Sequence, residues 1–371
     1  MKKLALSTLI VVLSAVQFLV AQERISLHTD FDMYFDNKEI SKTNYAVQGV
    51  DIQSGTDFYG RLILSAELEW DRYNTLVVGG DFSNNYGENI DGFFSYAKPI
   101  IHYKYNSEKL KFVAGIFTNR EMHIDSYSTA FYSETNRNVD NHVNGVLAQY
   151  NDGDSFVEVA CNWSGEYSES SREKFSILSA GRHYLKTFYY GYNYLMYHYA
   201  GSMSEDEDSV VDIQMLNPCV GVRLGQDITV DIKLGAILTS QHDRSYSDSW
   251  ERPLMGEAGV LLKYKGFSLD ERLYIGDNIN PFFYGHTLDN GYYMAYGREL
   301  YPNESFFRTE AGIYNRASLA YNRTMMSDKL RLRAEVVTHY DGYGFGTQYI
   351  LSVGVNLFKD LYNAANHKSK R

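Results

Sequence analysis

Charged residues at every second position are the first chemical feature of this chain. In the run from Lys329, Arg331, Arg333, Glu335 and His339 fall on one face, and Leu330, Leu332, Ala334 and Val336 fall on the other. Arg61, Glu67 and Glu69 share a face in the same way. Paired carboxylates such as Glu67 and Glu69 could serve glycoside hydrolysis, but strict alternation along a strand accounts for them without any reaction. His123 and Ser126 are a base and a hydroxyl close in sequence, and an acyl hydrolase needs such a pair within hydrogen-bond reach. They sit in a segment rich in both residue types, so spacing alone gives them no role. There is no Gly-x-Ser-x-Gly, no phosphate-binding loop and no Cys/His zinc spacing. Glu205–Asp208 could hold a divalent cation, although an acidic run of this kind is ordinarily a solvated loop. No enzyme, cofactor or resident metal is expected.

Alternation of period two means strands whose two faces meet different surroundings. The clearest pair runs from Lys329 to His339 and back from Gln348 to Phe358. Each run is about ten residues long, the length a tilted strand needs to cross a bilayer. Similar runs recur at Ile25–Phe35, Arg61–Asp71, Thr75–Phe82, Phe93–Tyr105, Leu110–Thr118, His142–Tyr150, Ser155–Ser164, Lys174–Tyr184 and Thr187–Tyr199. They continue at Ser209–Leu224, Ile228–Ser240, Met255–Tyr264, Phe267–Gly276 and Phe306–Thr324. The phase slips near Asn217 and Pro218, which predicts a bulge there. About sixteen strands result, with short and long connections in strict alternation. A soluble sandwich has no reason to sort its connections by parity.

Composition agrees. Tyr occurs 33 times and Phe 20 times, against 5 prolines. Few prolines suit a continuous hydrogen-bonded ladder, and abundant tyrosine suits aromatic girdles at two interfaces. Tyr34, Trp70, Phe82, Tyr105, Phe117, Trp163, Tyr264 and Phe358 are the expected girdle residues. The opening Met-Lys-Lys, the apolar run Leu4–Val20 and the small Ala21 describe a secretory signal over residues 1–21. Residues 22–358 form one barrel domain, and residues 359–371 a polar tail. The net charge of −11 and the export signal argue against a nucleic-acid partner. The two cysteines, Cys161 and Cys219, lie on separate strands and read as inert packing residues.

In strand number, parity and length the chain resembles the bacterial outer-membrane porins. The resemblance is architectural, without a subfamily motif. It implies an all-β transmembrane antiparallel barrel in the outer membrane of a Gram-negative bacterium, with both termini in the periplasm. Its partners would be outer-membrane lipid and small hydrophilic solutes diffusing passively, and porins are often trimers. The polar faces would line the pore, through Arg61, Glu67, Glu69, Lys104, Lys233, Arg272, Arg308, Glu310, Arg331, Arg333 and Glu335. In porins the third long loop folds inward as a constriction; by count that is Asn119–Asn141, with Arg120, Glu121, Asp125 and Arg137. A surface-binding barrel with a plugged lumen is the alternative, and a lipid-modifying enzyme ranks last. The end is a departure, since porins usually finish on an aromatic residue.

Overall fold

The computed structural model describes residues 24–40, 54–87, 94–138, 141–203, 209–284, 286–287, 293–294 and 296–363. The signal segment and the acidic run Glu205–Asp208 lie outside them. The strands are β1 (Arg24–Ile40), β2 (Gly55–Glu69), β3 (Asn74–Asn85), β4 (Tyr96–Asn106), β5 (Leu110–Thr118), β6 (His142–Asp152), β7 (Ser155–Gly165) and β8 (Lys174–Leu185). They continue as β9 (Phe188–Tyr199), β10 (Val211–Leu224), β11 (Ile228–Asp243), β12 (Leu254–Tyr264) and β13 (Phe267–Gly276). A two-stranded sheet, β14 (His286–Thr287) and β15 (Tyr293–Met294), stands apart, and β16 (Ile313–Met325), β17 (Leu330–Tyr340) and β18 (Phe345–Asn363) complete the wall. Sixteen of these form one closed antiparallel barrel, sealed where β1 pairs with β18 from Arg24↔Asn363 to Ile40↔Gly346. Closure leaves no unpaired edge.

The faces are inverted relative to a soluble protein. On β17, Val336 is 43% exposed and points outward, while Glu335 and Val337 are buried in the lumen. Leu64, Leu234, Leu319 and Leu351 are likewise exposed outside. An apolar outer wall around a polar interior fits a lipid solvent. Trp70, Trp163, Tyr264 and Phe358 are exposed as a girdle requires. Tyr34 and Phe117 are not; both are buried inside. Their parity places them on the lumenal face, which the end-of-strand position alone did not reveal.

One end of the barrel carries only tight turns. Lys265 and Gly266 both take positive φ (45° and 89°) between β12 and β13, the twist-matched arrangement for a two-residue hairpin. Gly225 turns β10 into β11 at φ 84°, and a Cβ there would meet the Ile228 carbonyl at 1.9 Å. Asp71 closes the β2–β3 turn by accepting from the Tyr73 and Asn74 amides. The opposite end carries the long connections.

Three expectations are corrected. At Asn217 and Pro218 there is no bulge: Leu216↔Leu238 and Cys219↔Gly235 keep one register, and only the pairing to β11 lapses between them. Proline has no N–H to give the ladder, so pairing breaks without a slip. The strand expected from Phe306 begins at Ile313, because Phe306, Phe307, Arg308 and Thr309 are all buried in succession. Consecutive burial cannot alternate across a wall; these residues form a 3-10 turn inside the lumen. The last strand runs on to Asn363, so the tail does not begin after Phe358.

The lumen is partly filled. The described residues of the connections 119–141 and 277–312 fold inward and are tied together by Ser133 N to Pro302 O (2.9 Å) and Glu304 N to Thr129 O (3.1 Å). Tyr127 and Phe131 from the first, and Phe283, Tyr301 and Phe307 from the second, form an apolar plug against Tyr274 and Tyr314.

Candidate functional site

Two regions bring chemistry together: the remaining lumen, and one row of side chains on the outer surface.

In the lumen, the third loop is held by charge. Arg120 reaches across to Asp30 (3.3 Å) and to Asp32. Glu121 accepts Lys104 (3.5 Å) and Lys111 (2.6 Å). Burial pushes the Glu121 carboxyl up, but Lys104 and Lys111 outweigh it and leave it below the usual range. Glu134, on the short helix Glu134–Asn138, meets Arg333 (3.5 Å), Arg137 (3.8 Å) and Arg316 (4.0 Å). Its burial is again opposed by these guanidinium charges, Arg333 first, and its carboxyl falls to about 2. Arg137 also donates to Tyr127 O at 2.6 Å.

The expected pore residues do not form one centre. Arg61 pairs with Asp81 (3.1 Å), Lys233 with Glu257 (2.6 Å), Arg272 with Asp270 (2.6 Å), and Glu67 with Lys104 (3.5 Å). Glu69 meets Arg24 at the short-turn end (3.3 Å). Arg331 pairs with Asp32 (3.3 Å), Arg333 with Glu335, and Glu335 with Arg316 (3.5 Å). Arg308 belongs to the plug and not the wall, its guanidinium lying over the Phe283 and Tyr284 rings (4.9 and 5.1 Å). Glu310 is exposed in the connection before β16. Arg61, Arg120, Asp125, Arg137, Arg331 and Arg333 do share one cavity of about 1010 Å³ between the third loop and the wall. Its lining extends from Thr324 and Arg331 near the short-turn end to Ser83 and Tyr96 near the long-loop end.

His123 and Ser126 also face this interior. The His123 ring lies 2.7 Å from Asn151 Oδ1, and Ser126 Oγ donates to the His123 carbonyl at 2.6 Å. The hydroxyl therefore engages the backbone and not the imidazole, and neither group reaches the outer surface.

The outer row was invisible as a motif. Trp163 on β7 pairs with Phe175 on β8, Phe175 with His198 on β9, His198 with Asp212 on β10, and Asp212 with His242 on β11. Their chain neighbours Tyr199, Val211 and Asp243 are buried inside, so parity turns this row outward. It lies at the long-loop ends of the strands. Trp163 stacks on Phe175 (5.3 Å), and Phe175 lies against the His198 ring (5.1 Å). His198 Nδ1 is 2.6 Å from Asp212 Oδ1. Arg244 donates to the other carboxylate oxygen from Nε (3.1 Å) and Nη2 (2.7 Å). His242 packs on Trp250 (5.1 Å) and lies 2.8 Å from Ser247 O. Among the described residues, no hydrogen bond reaches His198 Nε2. The only sequence signal is a His or Asp at a position whose parity demands an apolar residue, repeated at one end of adjacent strands.

A family model described as "Lipid A 3'-O-deacylase-type" matches residues 19–360. The chain belongs to this family. That membership overturns the expectation of a barrel without enzymatic character, which rested on missing linear motifs. The fold of this deacylase-type chain is that of outer-membrane porin-type barrels. OccK8 (OprE) of Pseudomonas aeruginosa matches it with a TM-score of 0.52 at 11% identity, covering 92% of this chain and 100% of that one. A loop-deletion mutant of OmpT, an outer membrane protein of Vibrio cholerae, gives 0.52 at 9% identity, covering 90% and 100%. OpdL of Pseudomonas aeruginosa gives 0.51 at 12% identity, covering 91% and 99%. No curated protein matches the chain significantly by sequence.

Proposed function

We propose that this chain hydrolyses an ester-linked acyl chain of a lipid A-class glycolipid in the outer leaflet, using the outer row as its reaction centre. The observation that carries the reading is the outward-facing His198–Asp212 pair, at the long-loop end of the wall of a member of a lipid A deacylase-type family. Asp212 holds Nδ1, which fixes the imidazole tautomer and leaves Nε2 to take a proton from the attacking hydroxyl or water. Arg244 steadies the carboxylate and keeps it aimed. Trp163, Phe175 and Trp250 flank the pair with rings suited to the boundary between acyl chains and headgroups. In this reading the long loops face the cell exterior, and the short turns and both termini face the periplasm. The test is mass spectrometry of lipid A from cells producing the wild-type protein or His198→Ala. Loss of one acyl chain with the wild type alone supports the reading; unaltered lipid A in both overturns it.

A second reading concerns the lumen. The cavity lining spans most of the wall's height, and this supports passive diffusion of small hydrophilic solutes past the third loop. Conductance steps of purified protein in a planar bilayer test it, and their absence removes it.

A further inference from the structure

We propose that the lumenal cavity is a binding site for a small oxyanion, a phosphate- or carboxylate-bearing solute, with Arg182 as its recognition group. The inference is independent of the hydrolytic reading. It supplies the ligand class of the lumenal one, although binding requires entry from one end only and not passage.

The size is suitable: about 1010 Å³ is at the upper end of the roughly 300–1,000 Å³ range of ligand pockets. The charge is more telling. Among the lining residues Arg and Lys outnumber Asp and Glu by eight to four, in a chain whose net charge is −11. Three of the four acids, Asp32, Asp81 and Glu134, are already in ion pairs. Asp32 serves both Arg120 and Arg331, and Glu134 serves Arg137, Arg316 and Arg333. With Asp30 beside Arg120 and Glu335 beside Arg316 and Arg333 counted, five cations face four carboxylates in these pairs, and Arg182 adds a further positive charge. Low-dielectric walls then focus that field on any anion that enters.

Arg182 differs from the ion-paired arginines of the lining. Its guanidinium lies over the Tyr189 ring at 4.8 Å and reaches Tyr184 Oη at 3.5 Å. Among the described residues it has no carboxylate within ion-pair distance. Stacking fixes the plane of the cation while leaving N–H donors unused, and a planar fork is the geometry that carboxylates and phosphates accept from. A half-buried cation without a counter-ion is costly, and a ligand anion removes that cost.

Isothermal titration of the purified, detergent-folded barrel with inorganic phosphate, and separately with succinate, tests this. We expect saturable binding of at least one, weakened about tenfold by Arg182→Gln, the loss of one charge-assisted contact. Arg182→Lys should retain more of it, and binding to the wild type should fall as salt rises. Phosphate alone binding would identify a phosphorylated ligand class, and succinate alone a carboxylate. Absence of saturable binding of either anion by the wild type overturns the proposal, as does equal binding by a folded Arg182→Gln. Should Arg182→Gln not fold, undiminished wild-type binding at high salt overturns it instead. His198→Ala should bind as the wild type does, which separates this site from the hydrolytic one. Binding without conductance would leave the inference standing and remove the channel reading.

Discussion

His198 Nδ1 and Asp212 Oδ1 lie 2.6 Å apart on neighbouring strands, both on the face that a barrel of this kind turns to lipid. A carboxylate in that position is costly to keep unless it is used, because lipid-facing charge is penalised in a depth-dependent way. Its place at the rim, within the aromatic row, limits the cost.

Asp212→Asn should leave the barrel folded and lower acyl release by about 10²–10⁴-fold, the range for a misoriented general base. Heat-modifiable migration on gels checks folding, and fatty-acid release checks activity. Full activity in the folded variant would remove Asp212 from the site.

Outer and lumenal positions should respond differently to charge. Leu64→Arg or Val336→Arg should cost about 2–4 kcal/mol if near the bilayer midplane, whereas Ser65→Arg should cost less. Val337 does not serve as the lumenal control, since it is fully buried against Tyr34 and Ile350, and an arginine there would overpack that cluster. Equal penalties at Leu64 and Ser65, measured by urea unfolding in lipid vesicles, would reverse the sidedness.

Glu134 should make the third loop acid-sensitive. Its carboxyl is held at about 2, below the ordinary value of about 4.3. A depressed carboxylate stabilises the fold fully above the ordinary value, and that contribution is lost as pH falls toward 2. Protease protection of residues 119–138 should therefore hold from pH 7 to about 5 and decline below about 4. Glu134→Gln should weaken protection already at pH 7, since breaking a buried ion pair costs about 3–5 kcal/mol. Protection independent of pH in the wild type would rule out the latch.

Arg333→Glu should destabilise the barrel strongly. It would set a third carboxylate beside Glu134 and Glu335, both of which Arg333 now neutralises. Arg331→Glu, at a more exposed pair with Asp32, should cost less. Similar unfolding midpoints for the two variants would show that the Glu134 cluster does not depend on Arg333.

Strand number, sidedness and the alternation of short and long connections were determined by the sequence itself. Period-two patterning must hold wherever the two faces of a strand meet different solvents, so Leu330–Val336 announces its own orientation. Where that rule is locally suspended the sequence misled. Phe306–Arg308 reads as apolar strand, yet inside a lumen a turn can bury every side chain at once. Whether the loop Asn119–Asn141 folds inward depends on contacts such as Arg120 with Asp32 and Glu134 with Arg316, between residues far apart in the chain. The outer row was decided by register alone. Trp163, Phe175, His198, Asp212 and His242 come from five strands and acquire a relationship only when four antiparallel pairings bring them level. Cross-strand pairing is a long-range choice, fixed by the whole sheet closing on itself, and no window of the sequence contains it.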